Sequence, residues 1–216
     1  MPATRHLPAF LLLEGAASAA ANMAKDQHLL NRAAETGAVT VRLYTWAGPT
    51  LSVGRTQRLD REIDLASCRA AGAVVVRRTT GGQAVLHGQD LTYSVTAPLA
   101  PFGGAGVLSI YRELSLVFEH FFAALGLQPQ VQAYTGRQRL AQASAICFAT
   151  PSAFEITLNG RKILGSAQRQ TPRAFLQHGT LPLRPQPASL APLFKGAEPS
   201  RIAAQMTDLE SEGVLP

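Results

Sequence analysis

The candidate catalytic residues of this sequence are Cys147, whose thiol could form a covalent intermediate, and Lys162, whose ammonium could assist it. A cysteine attacks as the thiolate, which needs a cation or a base nearby. Lys162, His87 and His178 are candidates for that role, although spacing in sequence does not fix their distances from the sulfur. A single cysteine among apolar neighbours is more often a buried small hydrophobic side chain, and a single histidine is more often structural. Cys147 is therefore a candidate nucleophile whose activation depends on what the fold places beside it.

A glycine-rich segment runs from Arg77 to His87 with the sequence RRTTGGQAVLH. The consecutive glycines Gly81 and Gly82 permit a positive φ or a close approach of the backbone to a ligand. Backbone amides in such a loop can bind a carboxylate, a phosphate or an acyl carbonyl, and neighbouring arginines add charged donors. The spacing matches neither a P-loop nor a dinucleotide fingerprint. A tight turn after a strand explains the glycines equally well, so the segment is a candidate binding loop only.

A β-hairpin is predicted around Asn159-Gly160, a strong signal for a type I′ turn. Its strands are predicted at Phe154–Leu158 and Arg161–Ala167, which pairs Lys162 with Thr157.

Strict alternation along the second strand places Leu164 and Ser166 on the same face as Lys162, with the residues between them on the other face. A lysine at this position, close to Gly165 and Ser166, can reach into a cleft. A hairpin lysine is, however, usually a solvated surface charge.

The other elements predict one α+β domain over residues 1–216, with a mixed, largely antiparallel β-sheet and flanking helices. A proline-rich segment begins at about residue 184. Helices are predicted at Ser18–Ala34 (stopped by Gly37), Asp64–Ala71 and Ile110–Leu125. Strands are predicted at Ala9–Leu13, Val39–Trp46, Leu51–Val53, Ala73–Arg77 (a buried strand), Ala84–His87 and Leu91–Ala97. Apolar residues at helical spacing in the last helix are predicted to be core: Leu114, Val117, Phe118, Phe121, Phe122 and Leu125.

Composition narrows the class of protein. Of 216 residues 46% are hydrophobic and 16% charged, enough apolar material for a core. The net charge of +6 fits a mildly basic surface or a basic face for an acidic partner. The sequence has no run of basic residues interleaved with aromatic residues, so a nucleic-acid partner is not favoured.

Two cysteines predict free thiols in a reducing compartment, hence the cytoplasm, and no Cys/His cluster has metal spacing. No apolar run reaches the ~20 residues that span a bilayer, and the short Leu7–Leu13 run is interpreted as a strand rather than a signal peptide.

Five segments, in order, resemble the biotin/lipoate protein ligase catalytic-domain family on its lipoate side. They are Asn22 to Asp26 (NMAKD) with Leu29-Leu30, Trp46 to Gly54 (WAGPTLSVG), Arg77 to Ser94 (RRTTGGQAVLHGQDLTYS), Gly160 to Gln168 (GRKILGSAQ) and Leu176 to Leu181 (LQHGTL). The resemblance covers roughly residues 9 to 195.

The resemblance implies that the glycine-rich loop wraps the carboxyl end of an acyl group and that Lys162 contacts the acyl carbonyl. The acceptor implied is a lysine of a lipoyl-carrier domain, such as the glycine-cleavage H protein or a dehydrogenase E2. The residues implied to bind the acyl substrate are Arg78, Thr80, Gly81, Gly82, Gln83, His87, Gly165, Ser166 and His178.

The family contains two chemistries. Transferases take an octanoyl group from acyl carrier protein through a cysteine thioester and need no cofactor. Ligases activate free lipoate with ATP and Mg, and commonly carry an accessory domain for which the residues after Leu181 are too few. The segment from Cys147 to Glu155 resembles the cysteine-dependent branch, so octanoyl or lipoyl transfer is the expected activity, with Cys147 as nucleophile and Lys162 beside it.

Two positions depart from the family pattern. Gln83 stands where Gly or Arg is usual, and Gly88 stands where Asp usually follows the histidine. These departures leave a non-catalytic module that binds an acyl group or a lipoyl domain as an alternative. An ATP-dependent lipoate ligase, a biotin-directed ligase and a basic nucleic-acid binder also remain open.

Overall fold

The computed structural model describes residues 7–102, 106–131, 155–186, 192–195 and 204–215. The four α-helices of these ranges are α1 (Ala19–Thr36), α2 (Leu59–Glu62), α3 (Leu65–Ala70) and α4 (Val107–Ala124). The strands are β1 (Ala9–Ala17), β2 (Val39–Trp46), β3 (Thr50–Val53), β4 (Val74–Arg77), β5 (Val85–His87), β6 (Asp90–Pro98), β7 (Gln130–Val131), β8 (Ile156–Leu158), β9 (Arg161–Gln170) and β10 (Ala174–Pro182).

The strands form two sheets. The larger has the order β1-β2-β6-β10-β9-β8-β7, and the smaller has the order β4-β3-β5. The β1–β2 and β3–β4 pairs are parallel, whereas the other strand pairs are antiparallel. This arrangement confirms the predicted α+β class with a mixed, largely antiparallel sheet.

Short-range signals placed the helix ends and the hairpin correctly. The side chain of Ser18 accepts the amide of Ala21 at the start of α1, and Gly37 ends that helix with φ 72°. Asp64 caps α3 by accepting two backbone amides at 2.9 Å. Asn159 and Gly160 both have positive φ, 50° and 75°, as a type I′ turn requires. Thr157 pairs with Lys162, as predicted.

The predicted core face of α4 is only partly correct. Phe122 is fully buried and Phe118 packs against the same cluster, which includes Ile156 and Leu158 of β8. Val117 and Phe121 are 63% and 42% exposed, however. The apolar stripe of α4 is wider than the face that the neighbouring strands cover, so the helical period identified the helix but overestimated its buried arc.

The prediction that β4 is a buried strand is wrong. It lies at the edge of the smaller sheet, and Val74 is 56% exposed. A run of β-branched residues favours a strand on any half-covered pleated surface, so it does not by itself distinguish an edge from a centre.

The helices in the described ranges are too short or too polar to cross a membrane.

Candidate functional site

A cleft lies where the larger sheet faces the smaller sheet and the glycine-rich loop. It holds about 360 Å³ of empty space, part of which is open to solvent. Its walls come from α1, β2, β3, β5, β6, β9, β10 and the loop. The lining residues are Met23, Tyr44, Trp46, Ser52, Arg78, Val85, His87, Thr92, Gly165, Ser166, Ala167, His178, Gly179 and Thr180.

Glycines allow the loop to pack directly against β3. Gly82 has φ 86°, which favours glycine, and its carbonyl oxygen occupies the space that a Cβ on Gly54 would need. The prediction of a positive φ in the Gly81-Gly82 pair is therefore confirmed at Gly82. Two backbones meet here without a side chain between them.

Arg78 holds the loop from within. Its guanidinium donates to the carbonyl oxygens of Gly81 and Gln83, each at 2.7 Å, and to that of Ser52 at 2.9 Å. The carbonyl of Thr80 accepts the amide of Arg55 at 2.9 Å. The loop carbonyls are thus turned toward the protein. Within the described part of the chain, the amides of Gly81 and Gly82 have no hydrogen-bond acceptor.

This loop has the chemistry of an anion or carbonyl site. Free amides of successive residues form a concave set of donors, and the buried Arg78 places a positive charge behind them. A carbonyl oxygen that becomes an oxyanion would be stabilised by such donors. Arg78 acts in the structure as the support of these amides.

His178 lies on β10 and links the loop to α1. Its Nδ1 is 3.0 Å from the Asp26 carboxylate and its Nε2 is 2.7 Å from the Thr80 hydroxyl. Burial lowers the pKa of His178, the charge of Arg78 lowers it further, and Asp26 only partly offsets them. The imidazole is therefore held neutral, with one nitrogen toward a carboxylate and the other toward the loop.

His87 makes an equivalent pair of contacts. Its Nδ1 is 2.8 Å from Asp90 and its Nε2 is 2.8 Å from the hydroxyl of Ser52. The ring stacks on Trp46 with a centroid separation of 4.2 Å. The Asp90 carboxylate also accepts the amide of Gly88, where φ is 141°. A carboxylate therefore reaches His87 from position 90, although Gly88 replaces the usual acid at position 88.

A buried charge network supports Asp26. The Arg42 guanidinium donates to Asp26 at 2.8 Å, to Glu14 at 2.7 Å and to the side chain of Asn22 at 2.7 Å. Burial alone would raise the pKa of Asp26, but hydrogen bonds from His178 and Ser94 and the charge of Arg42 lower it. Asp26 is thus held as a carboxylate.

Hydrogen bonds between polar side chains join β6, β9 and β10 along one wall of the cleft. Tyr93 shares a hydrogen bond of 2.8 Å with Ser166 and accepts one of 3.1 Å from Gln177. Burial raises the pKa of Tyr93 to about 12, so its hydroxyl stays protonated. A Cβ on Gly179 would overlap the Gly165 carbonyl and the Tyr93 ring. The close approach of these strands requires glycine there.

Lys162 lies on the strand that supplies one wall, but it is absent from the lining. Its side chain is 4% exposed and forms an ion pair with the buried Glu155. A bulge explains why, because Thr157 pairs with Lys162 while Ile156 pairs with Leu164. The extra residue breaks the alternation, so Lys162 does not share a face with Leu164. The predicted face of Lys162 is therefore wrong.

The nucleophile candidate Cys147 falls outside the described residues. The other cysteine, Cys68, is buried with a free thiol, and burial together with Asp64 raises its pKa. Cys68 is therefore unsuited to act as a thiolate. Within the described ranges, no three His, Cys, Asp or Glu side chains form a group that could hold a metal.

The structure brings most of the predicted binding residues to one place. Arg78, His87, Gly165, Ser166 and His178 line the cleft. Thr80 lies behind it on His178, while Gly81, Gly82 and Gln83 form the loop that Arg78 holds. Sequence reasoning gave no role to Ser52, Trp46, Asp26 and Asp90. All four stood within the quoted segments, but only Asp90, three residues after His87, lies near its histidine in the sequence.

The sequence matches the family described as Lipoyl protein ligase A/B catalytic domain over residues 18–214. The chain belongs to this family, as the resemblance predicted.

The relatives of this chain include proteins named Octanoyltransferase LipM. The protein from Carboxydothermus hydrogenoformans is 40% identical over 169 residues, which are 77% of this chain and 62% of that protein. The protein from Kyrpidia tusciae is 41% identical over 186 residues, 83% of this chain and 68% of that protein. The chain therefore spans only part of the length of the relatives it matches.

Solved structures of ligases share the fold. Lipoate-protein ligase A bound with ATP superimposes with a TM-score of 0.76 at 20% identity, covering 95% of this chain and 77% of that one. A bi-partite lipoate protein ligase from Thermoplasma acidophilum gives a TM-score of 0.75 at 19% identity, covering 94% and 75%. At these identities the likeness establishes the fold alone.

Proposed function

We propose that this protein transfers an octanoyl or lipoyl group to a lysine of a lipoyl-carrier domain through a thioester on Cys147. The observation that carries the proposal is the pairing of a cleft with an apolar wall and a loop whose Gly81 and Gly82 amides are free among the described residues. The names of the relatives that are about 40% identical support the same activity. The reaction uses no cofactor and belongs to the cytoplasm.

The cleft suits an acyl chain. Met23, Trp46, Val85 and Ala167 offer apolar surface along its walls. Each methylene that leaves water contributes about 0.8 kcal/mol, so a chain of octanoyl length binds without polar contacts. The polar loop then accommodates the carbonyl end.

In the first half-reaction, the Cys147 thiolate attacks the carbonyl carbon of an octanoyl thioester on acyl carrier protein. The carbonyl oxygen becomes an oxyanion, which the amides of Gly81 and Gly82 stabilise. Loss of one such donor costs about 10²–10³ in rate. The carbon–sulfur bond to the carrier then breaks, the carrier thiol takes a proton, and octanoyl-Cys147 remains.

Lys162 supplies the positive charge in this scheme. Its buried pair with Glu155 keeps the ammonium on β9, and Glu155 closes the 147–155 motif. The charge of Lys162 favours the Cys147 thiolate and the oxyanion. We infer that the Lys162–Glu155 pair orients the lysine toward the cysteine.

In the second half-reaction, the neutral amine of the acceptor lysine attacks the acyl-cysteine. An amide forms and the Cys147 thiolate leaves, with the amine proton passed to solvent or to the thiolate. The acceptor would be the lipoyl domain of an H protein or a dehydrogenase E2. The net charge of +6 favours approach of an acidic domain.

Intact mass after mixing with octanoyl carrier protein, without ATP, tests the proposal. We expect one hydroxylamine-labile octanoyl adduct in the wild type and in Cys68→Ala, and none in Cys147→Ala. The Cys68 variant is the matched control because that thiol is buried. An adduct that survives Cys147→Ala, or none in the wild type, contradicts the proposal.

A ligase would give a different result. Lipoate and ATP would then yield lipoyl-AMP and an ATP-dependent lipoylated domain, with activity retained in Cys147→Ala. The fold is compatible with this chemistry, since the superimposed ATP-bound protein is a ligase.

A further inference from the structure

The directions of the hydrogen bonds around His178 follow from the groups involved. An arginine only donates, and the Nε of Arg78 lies 3.2 Å from the Thr80 hydroxyl. The Asp26 carboxylate can only accept, so the proton of the neutral imidazole is on Nδ1, which faces that carboxylate at 3.0 Å. The Nε2 of His178 then accepts the proton of the Thr80 hydroxyl at 2.7 Å, while the oxygen of the same hydroxyl accepts from Arg78.

The Asp26 carboxylate determines the direction of each hydrogen bond in this series. It is buried and makes four contacts in all. One oxygen accepts from Arg42 at 2.8 Å and from Ser94 at 2.9 Å, and the other faces Tyr44 and His178, each at 3.0 Å. An acceptor here selects the tautomer of His178, as buried carboxylates beside histidines do elsewhere. This series of hydrogen bonds ends in the loop that presents the Gly81 and Gly82 amides.

We propose that Asp26 is a positioning residue for acyl transfer, acting through His178 and Thr80 to hold the glycine-rich loop in its donor conformation. This proposal rests on the proposed function, because the loop amides are the groups that would meet the acyl carbonyl. Asp26 is not itself among the residues that line the cleft, and its hydrogen bonds reach the loop only by way of His178. Its influence passes through one imidazole and one hydroxyl.

The substitution Asp26→Asn reverses the directions with a change of only one atom. Arg42 cannot accept a hydrogen bond, so the asparagine oxygen must face Arg42 and its NH₂ must face Tyr44 and His178. The imidazole then has to accept at Nδ1 and carry its proton on Nε2. The Thr80 oxygen would then accept from both Arg78 and His178 through its two lone pairs, and the Thr80 proton would lose the acceptor that it has in the wild type.

The first measurement is the ¹⁵N spectrum of the histidine side chains in the full chain. We expect His178 protonated at Nδ1 in the wild type and at Nε2 in Asp26→Asn, with faster amide exchange at Gly81 and Gly82. The rate constant for octanoylation of Cys147 should fall about 10²-fold, the usual cost of misplacing reacting groups by about an ångström, with little change in KM. Asp60→Asn, at an exposed carboxylate paired with Arg58, is the control and should match the wild type.

A second set of variants tests the route through Thr80. Thr80→Val keeps the shape and removes the hydroxyl, whereas Thr80→Ser keeps the hydroxyl. We expect the rate to fall in Thr80→Val and to be retained in Thr80→Ser. Because Asp26 acts through Thr80, the double variant Asp26→Asn with Thr80→Val should be no slower than the slower single variant.

The outcomes separate the two proposals. An unchanged His178 tautomer in Asp26→Asn, or independent multiplicative losses in the double variant, overturns the positioning role. If Asp26→Asn does not fold, equal rates in Thr80→Val and Thr80→Ser overturn it. Absence of any adduct on wild-type Cys147 contradicts the proposed function, while the tautomer and the amide exchange still decide the role of Asp26.

Discussion

His87 and His178 make the same two contacts in different settings. Each imidazole has a carboxylate at Nδ1 and a hydroxyl at Nε2. The partner of His87 is Asp90, three residues away at the start of β6. The partner of His178 is Asp26, 152 residues away on α1. One pair is built within a turn of the chain, whereas the other holds three elements together.

The carboxylates also differ in how their charge is balanced. Asp26 is bound to the buried guanidinium of Arg42. Asp90 accepts from His87, from the Gly88 amide and from the hydroxyls of Thr92 and Thr180. Similar histidine geometry can therefore be supported by a carboxylate that is paired with a guanidinium or by one that accepts from backbone and hydroxyl groups. The ion network is the more costly to disturb, because removal of one member leaves a buried charge.

Alanine substitution at the two carboxylates should show the largest difference. Asp26→Ala leaves Arg42 with one carboxylate fewer and should cost about 3–5 kcal/mol of unfolding free energy. Asp90→Ala loses the hydrogen bonds that this carboxylate accepts but leaves no guanidinium with a carboxylate fewer, so about 1–3 kcal/mol is expected. Urea unfolding monitored by circular dichroism measures both. Equal losses of unfolding free energy in the two variants would show that the Arg42 guanidinium does not cause the expected difference.

Ser52 on β3 is the hydroxyl partner of His87, and Thr80 in the loop is the hydroxyl partner of His178. A substitution where the loop contacts the end of β3 therefore tests both pairs together. Gly54→Ala places a Cβ on the Gly82 carbonyl oxygen, whereas a Cβ on Gly81 meets no atom within 4 Å. Gly54→Ala should destabilise the fold by roughly 1–3 kcal/mol or more, and Gly81→Ala by less than 1 kcal/mol. Thermal unfolding of the two variants is the measurement. A Gly81→Ala variant that is the less stable would contradict this packing.

Of the two histidines, His87 alone stacks on an aromatic ring of the described residues, so Trp46→Phe should distinguish the pairs. The change shortens the stack and removes the 2.8 Å hydrogen bond from Trp46 to Thr92. We expect the free energy of unfolding to fall by about 1 kcal/mol. The ¹⁵N shifts of His87 should move while those of His178 stay the same. A shift at His178 instead would show that the two pairs are coupled.

The mildest disturbance is acidification, which should act through the His178 pair. The pKa of His178 is lowered in the fold, so below its unfolded value of about 6.5 the unfolded chain binds more protons and stability falls. The pKa of Asp26 is lowered too, so a second loss begins as the pH falls below about 4. Urea midpoints from pH 8 to 3 measure both limbs. His178→Gln should remove the upper limb, and its persistence would assign that limb to another group.

Local signals were sufficient for much of this molecule. Ser18, Gly37 and Asn159-Gly160 fix helix ends and a turn through their own side chains and dihedral angles, so the sequence predicted them. The burial of Val74 and Phe121 depends on what the rest of the chain covers, and there the prediction failed.

The site divides in the same way. The glycine-rich loop was visible as a motif, and its candidate residues do converge on one cleft. The bulge between β8 and β9 left no signal in the spacing, so the face of Lys162 was assigned incorrectly. The partnership of Asp26 with His178 needed the fold, because nothing short of the tertiary structure places α1 beside β10.

The direct packing of Gly82 on Gly54 has a consequence for how this cleft could change in evolution. Where backbone rests on backbone, no exchange of side chains can widen, narrow or tilt the loop by small steps. If the cleft binds an acyl chain as proposed, new chain-length preferences would have to arise at positions such as Met23, Val85 or Ala167, where volume can be added one methyl at a time. The carbonyl end would stay constant while the tail end diversifies.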